Sequence, residues 1–316
     1  MAGNCRTCRR AAWLSISAIG GLMAACTPPS AMYGKRAADA DSLMRRAIAQ
    51  EASIDAASLP FNTVSVVPMR VITTDTAYAS LGYGMAALLA SDLARSARVI
   101  IVERLRVDAV LRELQLAGSG RVDTTTAPRI GRLVGARRIV VGAIDLRSGG
   151  NLRLDSYVTD AARGTVSATL SGNGTLAQLF DAEKMMAFRL FEALGVALSP
   201  AERRAIEQVP TRSLRAFLAF SKGVQAESMR DFTGAAANYA MAIRIDPGFG
   251  AATERLSTVR GNPSPFGGQI SAIERASAIS NELVNRPTPL VFGTGADAPA
   301  TSRQQLVTIT LVIRTP

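Results

Sequence analysis

Between Ala136 and Gly172 the chain spells three strands with almost nothing between them. ARRIVVGAIDLR, Ala136 to Arg147, is a β-branched run; SGGN, Ser148 to Asn151, is a tight hairpin turn. LRLDSYVTDA then alternates apolar with polar, with Leu152 and Leu154 on one face and a face change near Tyr157 or Val158. Ala162 to Gly164 turns the chain again, and TVSATLSG returns. Strands joined by such short connections lie antiparallel as a meander.

Upstream the period changes repeatedly. TVSVVPMRV, from Thr63, reads as a strand with Val64, Val66 and Met69 suited to a half-buried face, and Pro68 marks an edge or an end. A polar loop, TTDTAYAS, leads to a helix over Gly82–Ala97, where Met85, Leu88, Leu89 and Leu93 recur at threes and fours. VIIVE, Val99 to Glu103, is a short buried strand. Arg104 to Ala117 is a helix ended by Gly118, and Thr124 to Val134 another with Asp123 as N-cap. After the meander, Leu176 to Leu194 is a long helix whose apolar side carries Phe180, Met185, Phe188 and Phe191, and Ser199-Pro200 opens a short helix. Helix–strand alternation followed by a meander predicts an α/β domain, a mixed sheet with helices packed on it, over residues 61–208.

The start of the chain is of another kind. Arg6, Arg9 and Arg10 precede an apolar run, Ala11 to Met23, too short to span a bilayer, and Ala24-Ala25-Cys26 follows. That order resembles a bacterial lipoprotein signal, with Met23 where leucine is most usual. The resemblance implies a signal peptide over residues 1–25 and acylation of Cys26; ordinary secretory cleavage after Ala25 is the alternative. Residues 26–60 then read as a lipidated tether and helix. Thr27 to Gly34 forms the tether, and Lys35 to Ile54 the helix, with Leu43, Ala47 and Ile48 on one side. Cys5 and Cys8 fall within the signal, so their C-x-x-C spacing predicts no metal or redox centre.

Residues 213–260 are helical in pattern. Within Ser213–Gly248, Gly223, Ala235, Tyr239, Ala242 and Pro247 resemble the small, aromatic and proline positions of a tetratricopeptide repeat, with Ala219 and Lys222 departing from it. One such hairpin cannot bury its own face, so it must pack on the sheet domain, on a neighbour or on another protein. Gly250 to Val259 starts like a further repeat and fails at GNPSPFGG. Residues 261–316 read as a helix (Gln269 to Asn285), a loop, and a strongly alternating terminal strand, Gln304 to Arg314, that joins the sheet or seeks a partner.

Composition narrows the chemistry. The 316 residues carry a formal charge of +11 with no histidine, so the commonest general base is missing. Lys35, Lys184 and Lys222 are the only lysines, against 33 arginines, and the basic surface suits anionic lipids, polyanions or an acidic protein. Export and an aromatic content of 5% argue against nucleic acid. Gly82-Tyr83-Gly84-Met85-Ala86-Ala87 matches G-x-G-x-x-A with Glu103 downstream, but TTDTAYASL separates the first glycine from its strand, so the glycines read as the start of a helix. Glu103, Asp145, Asp155 and Asp160 read as solvated acids at strand ends. Ser171 and Ser221 lack a nucleophile's context. No catalytic, cofactor or metal residue is expected.

VSVVPM, LGYGMAALLASDL, VIIVERLRVDAVLRELQL, GRLVGARRIVVGAI and LRLDSYVTDAARGTV, followed by a long helix, resemble the CsgG/TolB N-terminal-like family over about half the chain. That family includes the curli-secretion lipoprotein CsgG and lipoproteins such as FlgO and LpoB. The resemblance implies a non-enzymatic lipoprotein on the periplasmic face of the outer membrane. It would serve in the export or assembly of surface structures through contacts with itself or with secretion proteins. Activation of an envelope or cell-wall synthesis enzyme is the alternative. Channel-forming members insert long hairpins in the sheet domain; SGGN and ARG leave no room for them here.

Overall fold

A computed structural model describes residues 29–117, 122–147 and 150–261, all within one compact unit. Its strands are β1 (Thr63–Val66), β2 (Arg70–Ile72), β3 (Ile100–Ile101), β4 (Arg138–Leu146), β5 (Asn151–Asp160) and β6 (Thr165–Thr175). They form one mixed sheet in the order β3-β1-β4-β5-β6, with β2 lying beside β4 beyond the end of β1. β1 is parallel to β3 and β4, whereas β4, β5 and β6 are the antiparallel meander. TVSVVPMRV is therefore two strands, not one. Pro68, lacking an amide donor, falls in the break, and the line resumes with Arg70 opposite Ala143. β1 is buried along its whole length rather than half-buried, as suits a strand parallel to both its neighbours.

The helices are α1 (Pro29–Ala49), α2 (Leu81–Leu93), α3 (Arg104–Glu113), α4 (Ala127–Val134), α5 (Leu179–Ala193), α6 (Pro200–Glu207), α7 (Leu214–Ser228), α8 (Phe232–Ile245) and α9 (Gly250–Arg260). Asp123 does not cap α4. Its carboxylate accepts from the amides of Thr125 and Thr126 in the turn before the helix, and Thr126 is the N-cap. Ser199 does cap α6, in a reciprocal box with Glu202. On α5 two of the four expected apolar positions, Phe180 and Phe191, are buried together with Leu179, Glu183, Met186, Ala187 and Leu190, whereas Met185 is exposed and Phe188 half-buried.

The N-terminal tether is absent from residue 29 onward, because helix is already present there. α1 ends at Ala49, and Glu51–Ser53 is a 3-10 turn. Tyr33, Ala37, Ala40, Met44 and Ala47 are buried at helical spacing, and Leu43 and Ile48 only half-buried. The alanines let α1 lie close against α3 and α9.

α7 packs between α2 and α8, and α9 packs on α8. The face that a lone hairpin cannot bury is thus covered inside the chain. Phe180 of α5 meets Phe217 of α7 edge-on at 5.3 Å, and Phe220 lies 5.0 Å from Phe249 at the start of α9. One apolar core runs through the sheet and the helices alike, with no break at residues 208–213.

Among the described residues β6 is the outer strand of the meander, paired with β5 alone. The ladder turns alternate backbone groups of β6 outward, and side chains plug two of them. Arg189 Nη1 donates to the Ser171 carbonyl at 2.5 Å, and the Thr175 amide donates to Gln178 Oε1 at 3.2 Å. Cys26 and the signal, Gly118, Ser148 and Gly149 of the first turn, and the expected helix 269–285 and strand 304–314 lie outside the described residues.

Candidate functional site

The glycines of the G-x-G-x-x-A stretch are packing positions. A methyl group at Gly82 would overlap the Met69 carbonyl oxygen, and one at Gly84 would overlap Ser221 of α7. The Gly82 carbonyl accepts from the Met69 amide at 3.2 Å. The close approach that a dinucleotide would require is taken up by the protein's own backbone. Ser221 is buried and donates to the Phe217 carbonyl at 2.8 Å.

The strand-end acids are ion-paired one by one. Asp145 meets Arg147 at 3.0 Å, Asp155 meets Arg153 at 2.9 Å and Ser171 at 2.7 Å, and Glu103 meets Arg36 at 2.8 Å. Asp160 corrects the expectation of solvated acids: it is buried, and Arg137 lies 2.9 Å away. Burial alone would raise its carboxyl, but Arg137 and the amides of Arg163 and Ala162 hold it below the usual range.

Four of the five repeat-like residues come together. Gly223 of α7 faces Tyr239 of α8 so closely that a Cβ there would lie 2.6 Å from the ring, and Ala235, Tyr239 and Ala242 are fully buried. Pro247 follows α8 on the surface. The polar end of Tyr239 leads to a cluster that periodicity did not reveal. Its hydroxyl donates to Glu227 Oε2 at 2.5 Å, and the Tyr33 hydroxyl of α1 donates to Oε1 of the same buried carboxylate. Arg104 of α3 is ion-paired with Glu227 and with Asp108, the latter at 2.9 Å; Arg255 of α9 lies 3.6 Å from Glu227. Burial would raise the Glu227 carboxyl, but Arg104 and Arg255 hold it low. Both phenols are pushed up, by burial and then by the Glu227 charge. Glu227 is thus an ionised hub binding α1, α3, α8 and α9 to α7.

A second buried cluster joins α2 to α5. Lys184 Nζ lies 2.6 Å from Asp92 Oδ2 and 3.3 Å from Glu183 Oε2, so two acids share one cation. Glu183 is fully buried, and desolvation followed by the Asp92 charge pushes its carboxyl up to about 8. Asp92 is raised as well, by burial. An open cleft of about 880 Å³ is lined by Arg70, Asp123, Thr126, Val141, Ala143 and Tyr157. Among the described residues no group of three or more acidic, cysteine or histidine side chains could hold a metal ion, and no helix is long and apolar enough to cross a membrane.

Residues 51–146 match the family model of the curli production assembly/transport component CsgG, from the turn after α1 to the end of β4. Solved structures similar to the chain include two of LpoB. Escherichia coli LpoB has 18% identity and a TM-score of 0.30, covering 36% of this chain and 55% of that one. The LpoB C-terminal domain from Salmonella enterica has 16% identity and a TM-score of 0.30, covering 43% of this chain and 98% of that one. The chain thus spans about half the length of the first of these relatives. No curated protein matches it.

Proposed function

We propose, with residues 51–146 as a CsgG-family segment, that the chain is a non-enzymatic lipoprotein of the cell envelope. It is held by acyl chains on Cys26 at the periplasmic face of the outer membrane and serves the export or assembly of surface structures through protein contacts. The carrying observation is that family match over the strand-and-helix half of the sheet domain. The lipoprotein-type signal before Cys26 supports the anchor.

The meander argues for an accessory rather than a pore-building role. Ala161 to Gly164 joins β5 to β6, whereas a membrane hairpin needs about 9–11 residues in each direction. The deciding experiment is crosslinking in intact envelopes followed by identification of the captured chains. Capture of a surface-structure export component is expected. A one-to-one complex with a cell-wall synthase, and no export component, would overturn this reading in favour of an enzyme activator.

A further inference from the structure

The first helix leaves almost no leash. α1 is fastened along its length: Tyr33 to Glu227, Arg112 to both Asp41 (2.6 Å) and the Ser228 carbonyl, Arg230 to the Ala37 carbonyl and Asp41, and Arg45 to Glu113 at 3.0 Å. The helix begins at Pro29, so only Thr27 and Pro28 stand between it and Cys26. Three peptide links span at most about 11 Å. Met32, one turn into the helix and 59% exposed, therefore has its Cα within roughly 16 Å of that of Cys26. Lys35 follows it, also exposed.

We propose that in the acylated protein the first turn of α1 rests on the leaflet that receives the acyl chains, with Met32 and Lys35 at the phospholipid headgroups. The proposal rests on the reading of Cys26 as a lipid anchor. The occupant of this surface is a phospholipid bilayer, because the distance from a membrane-embedded Cys26 admits nothing else of size between them. An exposed apolar side chain followed by a cation also suits an interface of anionic headgroups. Unwinding α1 to lengthen the leash would withdraw Tyr33 from Glu227, so the helix resists serving as slack. The body then works against the membrane surface, and a partner must come to it there.

The test uses the full chain, acylated in cells and reconstituted in phosphatidylethanolamine–phosphatidylglycerol vesicles carrying a nitroxide-headgroup lipid. With Cys26 acylated, Met32→Cys supplies the one free thiol of the mature chain for a fluorophore. Quenching of more than half the emission is expected. A twenty-residue Gly-Ser insert between Pro28 and Pro29, with a root-mean-square span of about 25 Å, should remove most of it. Absence of quenching in the uninterrupted chain, or equal quenching with the insert, overturns the proposal. Failure of the anchor reading shows separately. The parent chain would then take up dye at its own cysteines and incorporate no fatty-acid analogue.

Discussion

The Tyr33 hydroxyl of α1 donates to the carboxylate of Glu227 on α7, joining positions 194 residues apart in the chain. Arg104 and Arg255 press on the same carboxylate, so α1 is part of the folded body and not an appendage. Tyr33→Phe should cost about 1–2 kcal/mol by leaving the acceptor one donor short. Glu227→Gln should cost about 3–5 kcal/mol, because half-buried Arg255 loses its counter-ion and Arg104 keeps only Asp108. Urea titration of the detergent-solubilised protein measures both, and equal midpoints for the two variants would contradict this ranking.

Glu183 makes stability depend on pH. Its carboxyl is neutral up to about 8 in the folded chain and ionises from 4.5 when unfolded. The folded state therefore holds the extra proton between those values, and stability falls as pH rises through that window. One proton gives at most about 1.4 kcal/mol per pH unit. Glu227, held low, is ionised in both states over most of this range and adds no opposing slope there. Thermal midpoints should drop from about pH 5 to about pH 8 in the parent chain and flatten in Glu183→Gln.

Gly82 tests the meaning of the glycine pair. Gly82→Ala drives a methyl group into the Met69 carbonyl, part of the backbone that must shift to make room. A loss of about 1–3 kcal/mol is expected with no nucleotide present. A variant as stable as the parent, with reduced nucleotide binding, would restore the dinucleotide reading.

Cys26→Ser should abolish incorporation of a fatty-acid analogue and move the chain from the membrane to the soluble envelope fraction. Unchanged labelling in the variant would place the lipid elsewhere.

The meander was readable because its side chains alternate locally and its turns are short; β4, β5 and β6 needed no distant information. Gly84 was not readable, since the hydroxyl that fills the space beside it belongs to Ser221 on α7. Glu183 hid within an apparently amphipathic helix: its burial depends on Lys184 reaching Asp92, a pairing that helical periodicity does not encode. The start of α1 was missed for a related reason. Pro29-Ser30 and Gly34 favour a loop locally, but contacts of Tyr33 with Glu227 and Phe232 reward the helix. Gly223 and Tyr239 lie against each other, but the role of Tyr239 as a donor to a buried charge is not encoded in residue spacing.

Arg189 and Gln178 occupy outward backbone groups along β6, and that has a bearing on life among other extended chains. A bare strand of eleven residues would invite any passing polypeptide to extend the sheet. With these two stoppers in place, a stray segment meets an occupied group at Ser171 and another at Thr175, so an unbroken ladder cannot run the whole length of that flank and ribbon growth is discouraged.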